Sequence, residues 1–137
     1  MNFEFLVLSC NERRKESIIK KRTYEFSLKI VDLYKILISV NEYVLSRQLL
    51  KAGTSIGANV EEALAGQSRA DFLSKMSIAS KEARETNYWL RLIIDSKILE
   101  DYRVKPLVAE SSEIIRMLTS IVKTTSLNNS KLKTKKS

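Results

Sequence analysis

The sequence predicts an all-α protein, a four-helix bundle with up-down-up-down connections. Its 137 residues suffice for one domain with a substantial core. Only three glycines and one proline occur, which is too few for the many turns of a sheet-rich fold. Apolar residues recur instead at spacings of three and four over long stretches, which is the period of an amphipathic helix.

The first predicted helix runs from about residue 23 to residue 39, with Thr23 as its candidate N-cap. Its apolar residues share one face because they repeat every three or four positions: Phe26, Ile30, Leu33 and Leu37. A short connection over residues 41–46 then leads to the second helix.

Ser46 is the candidate N-cap of the second helix, which we expect to end at Ala65, with Gly66 in the left-handed conformation after it. Gly53 and Gly57 lie four residues apart inside this helix. They form a smooth ridge that allows close packing of another helix, either within the bundle or between protomers.

The third and longest predicted helix begins at Ser68 or Arg69 and ends near Lys97. Residues 100–105 are predicted to form a turn. Pro106 suits the first turn of the fourth helix, where its missing N–H has no cost.

Charge divides the chain into three parts. Residues 1–22, with six basic and three acidic side chains, are interpreted as a basic amino-terminal arm. Residues 23–126 form the bundle and are nearly neutral, with 14 basic and 13 acidic residues, which argues against a nucleic-acid groove in the fold itself. Residues 127–137 are predicted to be a disordered tail, whose lysines either bind phosphates or only solubilise the chain: Lys131, Lys133, Lys135 and Lys136.

The side-chain inventory offers no catalytic machinery. The sequence has no histidine, so the commonest general base and metal ligand is missing. Cys10 is the only cysteine, which excludes an intrachain disulfide and fits a reducing, cytoplasmic location. We therefore predict no enzyme activity, no catalytic residue, no metal and no cofactor. No apolar run is long enough to predict a membrane span.

Polar residues interrupt two of the apolar stripes. Ser55 and Asn59 lie four residues apart on the second helix, and Asn87 occupies a stripe position on the third. A buried polar layer commonly fixes register and partner choice. We expect these three residues to form such a layer and to guide assembly.

The aromatic pair Tyr88 and Trp89 cannot point in one direction, since adjacent helical residues are about 100° apart. At least one ring must lie on the flank of the bundle, where it could stack on a base or enter a protein interface. With Leu92 and Ile93, the pair predicts an oligomer interface on the third helix.

Two segments resemble a known family. Residues 48–62, with Ala52, Ser55, Ala58 and Asn59, are similar to the signature of the four-helix-bundle proteins encoded in intervening sequences of bacterial 23S ribosomal RNA genes. A second block, from Phe72 to Leu90, resembles one branch of that family. The resemblance implies a left-handed bundle that forms a ring-shaped homopentamer. It also implies kinship with the accessory protein of diversity-generating retroelements, a basic barrel that binds nucleic acid and a reverse transcriptase.

These observations predict a non-enzymatic, homo-oligomeric bundle that binds either nucleic acid or a nucleic-acid enzyme. RNA is the favoured nucleic acid. The alternative is a protein-binding scaffold that never contacts nucleic acid. The salt dependence of binding distinguishes the two, because contacts with phosphates weaken steeply as salt rises.

Overall fold

A computed structural model describes the backbone of residues 10–136 and the side chains of residues 10–131. It contains four helices: α1 (Cys10–Ser39), α2 (Val44–Leu64), α3 (Arg69–Asp95) and α4 (Asp101–Lys136). Each helix packs against the next one along the chain, and α4 returns to pack against α1. This arrangement confirms the predicted all-α four-helix bundle, with α1 diagonal to α3.

The core is built from one apolar stripe of each helix. Phe26 and Ile30 of α1 are fully buried, as are Ile56 of α2, Leu90 of α3 and Leu118 of α4. These positions follow the spacing of three and four that predicted the helices. No described helix has the length and apolar character needed to cross a membrane.

The glycine ridge of α2 packs against α1, inside the bundle. A Cβ atom at Gly53 would lie 2.8 Å from both Cγ atoms of Ile30, and one at Gly57 would lie 3.2 Å from the carbonyl oxygen of Thr23. The close approach of the two helix backbones therefore requires a glycine at position 53 and leaves only tight space for a Cβ atom at position 57. Of the two interpretations of the glycine spacing, the structure supports close packing within the bundle rather than between protomers.

α1 begins well before its predicted start, at Cys10. Thr23 is not an N-cap: it is fully buried, and its hydroxyl donates to the carbonyl oxygen of Ile19 across 2.8 Å. Ile19 itself is a core residue, so the second half of the expected basic arm belongs to the bundle. Residues 1–9 of that arm lie outside the described part of the chain.

The ends of α2 also differ from prediction. Ser46 is buried in the first turn rather than capping it, and the Glu42 carboxylate accepts from the N–H of Val44 and of Leu45, at 3.1 and 2.8 Å. At the other end, Gly66 does not adopt the left-handed conformation, since no described glycine has a positive φ. The predicted α3 start is confirmed, because Ser68 caps the helix by accepting from the N–H of Asp71 across 3.0 Å.

α4 is longer than predicted at both ends. It begins at Asp101, which makes Pro106 its sixth residue and removes most of the expected turn. Beyond residue 126 the backbone stays helical through Lys136, so the predicted disordered tail is wrong for residues 127–136. No glycine or proline follows Pro106, and lysine and leucine favour the helix, which explains the continuation.

Candidate functional site

Asn87 is the polar residue that joins two helices of the bundle. Its amide nitrogen donates to the hydroxyl of Ser111 across 2.9 Å and to that of Ser112 across 3.3 Å, both on α4. Its carbonyl oxygen accepts from Nε of Arg91 across 2.9 Å. Because Ser111 is fully buried and also donates to the carbonyl oxygen of Val108, the α3–α4 seam contains a satisfied polar network.

Ser55 and Asn59 do not reach that network. The Ser55 hydroxyl donates to the carbonyl oxygen of Lys51, and the Asn59 amide donates to that of Ser55 across 2.8 Å, so both bonds stay within α2. The three residues predicted to form one polar layer are therefore not joined by hydrogen bonds. Sequence spacing could not show this, since it does not identify the helix that each amide faces.

The predicted interface on α3 separates into buried and exposed members. Ile93 is fully buried in the core, so its assignment to an interface is wrong. Trp89 is half-buried and packs against the core, and Leu92 is also half-buried. Tyr88 is the exposed member at 50% exposure, and its ring makes a T-shaped contact with Trp89, with centroids 5.1 Å apart. Within the broad apolar stripe of α3, Ile93 therefore lies in the core and Tyr88 lies on the surface.

A larger exposed apolar surface lies on α1 and was missed by the sequence analysis. Tyr24 and Leu28 are one turn apart and are 58% and 51% exposed, with half-buried Val31 beside them. We call these three residues the α1 apolar patch. Their spacing of four and three, opposite the core stripe, is the signal that could have revealed it.

The lysines of the carboxyl-terminal segment continue one long helix. Lys131 is exposed, and the backbone at Lys133, Lys135 and Lys136 belongs to α4, while their side chains lie outside the described part. From residue 114 to residue 136, α4 carries six basic residues and no acidic one. This part of α4 therefore has charges of a single sign in its sequence.

The acidic residues in the middle of α4 are matched by α1. Arg22 pairs with Glu113 at 2.7 Å and Lys29 pairs with Glu110 at 2.8 Å. The hydrogen bond from Arg22, reinforced by its charge, lowers the pKa of Glu113. The carboxylates of Glu110 and Glu113 are therefore directed towards α1 rather than towards α3.

An open groove of about 450 Å³ runs along that α3 side. Its lining combines two cations, five hydroxyl residues and two apolar residues, with no acidic residue: Arg84, Lys123, Ser77, Ser80, Thr119, Ser126, Ser130, Val122 and Leu127. We call this the α3–α4 groove. Arg84 donates to the Thr119 hydroxyl across 3.2 Å, and neither cation forms an ion pair within residues 10–131. The sequence did not predict this local concentration of positive charge, because residues 23–126 are nearly neutral in total.

A second pocket lies where α1 begins and α4 ends, with Glu12, Glu16 and Arg69 around Phe72 and Ile121. Burial raises the pKa of Glu16, and the neighbouring carboxylate of Glu12 raises it further. The charges here are of both signs. Among the described residues, no group of three or more cysteine, aspartate or glutamate side chains is arranged to hold a metal ion.

Comparison with known proteins assigns the chain to a family. A family model described as 23S rRNA-intervening sequence protein matches residues 15–120. A solved structure, that of a protein with unknown function from the S23 ribosomal protein family of Bacteroides thetaiotaomicron, is 45% identical, with a TM-score of 0.77. The match covers 80% of this chain and 98% of that one. No curated protein matches at a significant level. The chain belongs to the family of 23S rRNA-intervening sequence proteins.

Proposed function

We propose that this protein is a non-enzymatic helical bundle that binds nucleic acid, with RNA as its target. The observation that carries the proposal is the acid-free half of α4, where residues 114–136 hold six basic residues along one helix. RNA is proposed because the family is named for sequences that intervene in 23S rRNA.

The physical basis is electrostatic. Each phosphate neutralised by a lysine or arginine releases condensed counterions, which makes the affinity fall steeply with rising salt. A helix with several basic residues and no carboxylates attracts the phosphate backbone of a nucleic acid along its length. A cytoplasmic location is part of the proposal, since the single cysteine requires no disulfide-forming compartment. The sequence contains no histidine to act as a general base, which supports a binding role.

A salt titration tests this function. Fluorescence anisotropy with a labelled RNA should give an affinity that falls linearly with salt on logarithmic axes. Replacing Lys131, Lys133, Lys135 and Lys136 by glutamine should reduce both the affinity and the slope. A wild-type protein that does not bind RNA even in about 50 mM salt, where electrostatic binding is much stronger than at about 200 mM, would contradict the proposal.

Self-association is the second function that an observation favours. The α1 apolar patch exposes two large side chains one turn apart, which is typical of an interaction site. We propose that a second copy of the chain covers it, rather than the flank of α3, because Trp89 is already packed against the core. The family resemblance implies five subunits. The alternative function is a scaffold that binds only proteins and has no nucleic-acid role.

Native mass spectrometry tests the assembly. Leu28→Glu places a charge in the patch and should yield monomers, whereas the wild type should be an oligomer. Val44→Glu is the matched control, since Val44 is 72% exposed at the start of α2 and lies outside the patch. A wild-type monomer at micromolar concentration, or an unchanged oligomer in Leu28→Glu, would count against the patch as the interface.

A further inference from the structure

We infer that the α3–α4 groove binds a single strand of nucleic acid, with phosphates along the groove and an unpaired base on Tyr88. The inference rests on the proposed function and adds the site and the strandedness of the ligand. It uses residues distinct from the terminal lysines.

The first support is the composition of the groove. Its two cations, Arg84 and Lys123, come from opposite walls, and hydroxyl residues lie between and beyond them. Phosphate oxygens accept hydrogen bonds from guanidinium, ammonium and hydroxyl groups alike. Because no carboxylate lines the groove, an anionic backbone meets no repulsion inside it.

The second support is the separation of charge across α4. Glu110 and Glu113 are held by Lys29 and Arg22 on the α1 side of the helix. The groove on the α3 side is therefore lined by cations and not by carboxylates, and exposed Lys131 directly follows the last residue of its lining. A strand in the groove would lead towards the lysine-rich end of the same helix, so the two basic regions form one path.

The third support decides the strandedness. Tyr88 follows Arg84 by four residues, so the two lie on one face of α3, about 6 Å apart along its axis. Half of Tyr88 is exposed, and its T-shaped contact with Trp89 leaves that half open to a ligand. A base can stack on a protein ring only when it has left its own helix, which is true of single strands and not of a duplex.

The groove and the α1 apolar patch lie on different helices of the subunit. α1 is diagonal to α3 in the bundle, and Tyr24 lies on the α2 side of α1, next to Glu61.

Anisotropy with a labelled 12-nucleotide RNA, alone and annealed to its complement, tests the inference. Arg84→Gln/Lys123→Gln should weaken single-strand binding at least tenfold, and should reduce the logarithmic salt slope by about 1.4 if two phosphate contacts are lost. Arg47→Gln/Lys51→Gln is the control with the same loss of charge, since both side chains are exposed on α2 and neither lines the groove.

The tyrosine is tested separately. Tyr88→Ala should weaken single-strand binding about tenfold, Tyr88→Phe should retain it, and the duplex should bind at least tenfold more weakly than the single strand. Wild-type binding that both double variants reduce equally would overturn the groove and leave the proposed function intact. Equal affinity for duplex and single strand would overturn the strandedness. Absence of any wild-type binding would overturn the proposed function itself.

Discussion

The side-chain amide of Asn87 on α3 donates to the hydroxyl of Ser111 on α4 across 2.9 Å, and Ser111 is completely buried. One side chain therefore links the two helices that form the basic groove. The same amide group holds Arg91 through its oxygen. The position of α4 relative to α3, on which the groove depends, is fixed partly by this polar contact and not by apolar packing alone.

Asn87→Ala should destabilise the fold by about 1–2 kcal/mol, because it removes bonds between helices from a half-buried site. Asn59→Ala is the control: its amide bonds only within α2, so the free energy of unfolding should change by no more than about 0.5 kcal/mol. Urea unfolding followed by circular dichroism measures both. Equal losses in the two variants would show that the link between helices contributes nothing.

Trp89→Ala should lower the free energy of unfolding by about 3 kcal/mol, since Trp89 packs against the core. Tyr88→Ala should change it by less than about 1 kcal/mol, because that ring is half exposed. We expect both variants to keep the wild-type oligomeric mass. Dissociation of Trp89→Ala without loss of stability would restore the flank of α3 as the assembly surface.

Gly53→Ala should destabilise the protein by about 1–2 kcal/mol even though alanine favours the helix by about 1 kcal/mol. The new Cβ would lie 2.8 Å from the two Cγ atoms of Ile30, a stiff β-branched residue that is fully buried. Ala58→Gly, on the exposed face of α2, should also lower the free energy of unfolding by about 1 kcal/mol. Glycine is therefore favoured at position 53 and alanine at position 58 of the same helix.

A double-mutant cycle identifies the cause of the Gly53 effect. Ile30→Ala removes the two Cγ atoms that the new methyl group would meet most closely, so Gly53→Ala should be less harmful in that background than in the wild type. Additive losses would show that the glycine is needed for a reason other than contact with Ile30.

Glu16→Gln should stabilise the protein at neutral pH. Burial and the Glu12 charge raise the folded-state pKa of Glu16, so the folded protein binds the proton more tightly than the unfolded chain. The wild type should therefore lose stability as pH rises from the ordinary glutamate pKa to the raised one, and the advantage of the variant should grow over that window and then level off.

Glu113→Gln provides a control of opposite sign. The pKa of Glu113 is lowered in the folded state by Arg22, so its contribution is present above the ordinary pKa and is lost as pH falls through the lowered value. Urea unfolding of the wild type and both variants between pH 3 and pH 7 measures the differences. A Glu16→Gln curve parallel to the wild type throughout would refute the raised pKa.

The sequence by itself determined the four helices and their core faces. Phe26, Ile30 and Leu33 could be placed inside because the period of 3.6 residues is a local property that no distant contact needs to supply. The start of α3 at Ser68 was equally local, since an N-cap depends on one side chain and the next three residues.

Only the tertiary structure decided which flank of each helix faces a neighbour. Ile93 and Tyr88 both belong to the wide apolar stripe of α3. One is buried and the other exposed because of where α2 and α4 pack.

The charge pattern could not be predicted from the sequence for the same reason. Glu110 and Glu113 cancel Lys29 and Arg22 across the α1–α4 contact, while Arg84 and Lys123 meet on the other side of α4. Electrostatic interactions depend on distance in space, and residues almost 40 positions apart become neighbours only when the bundle has closed.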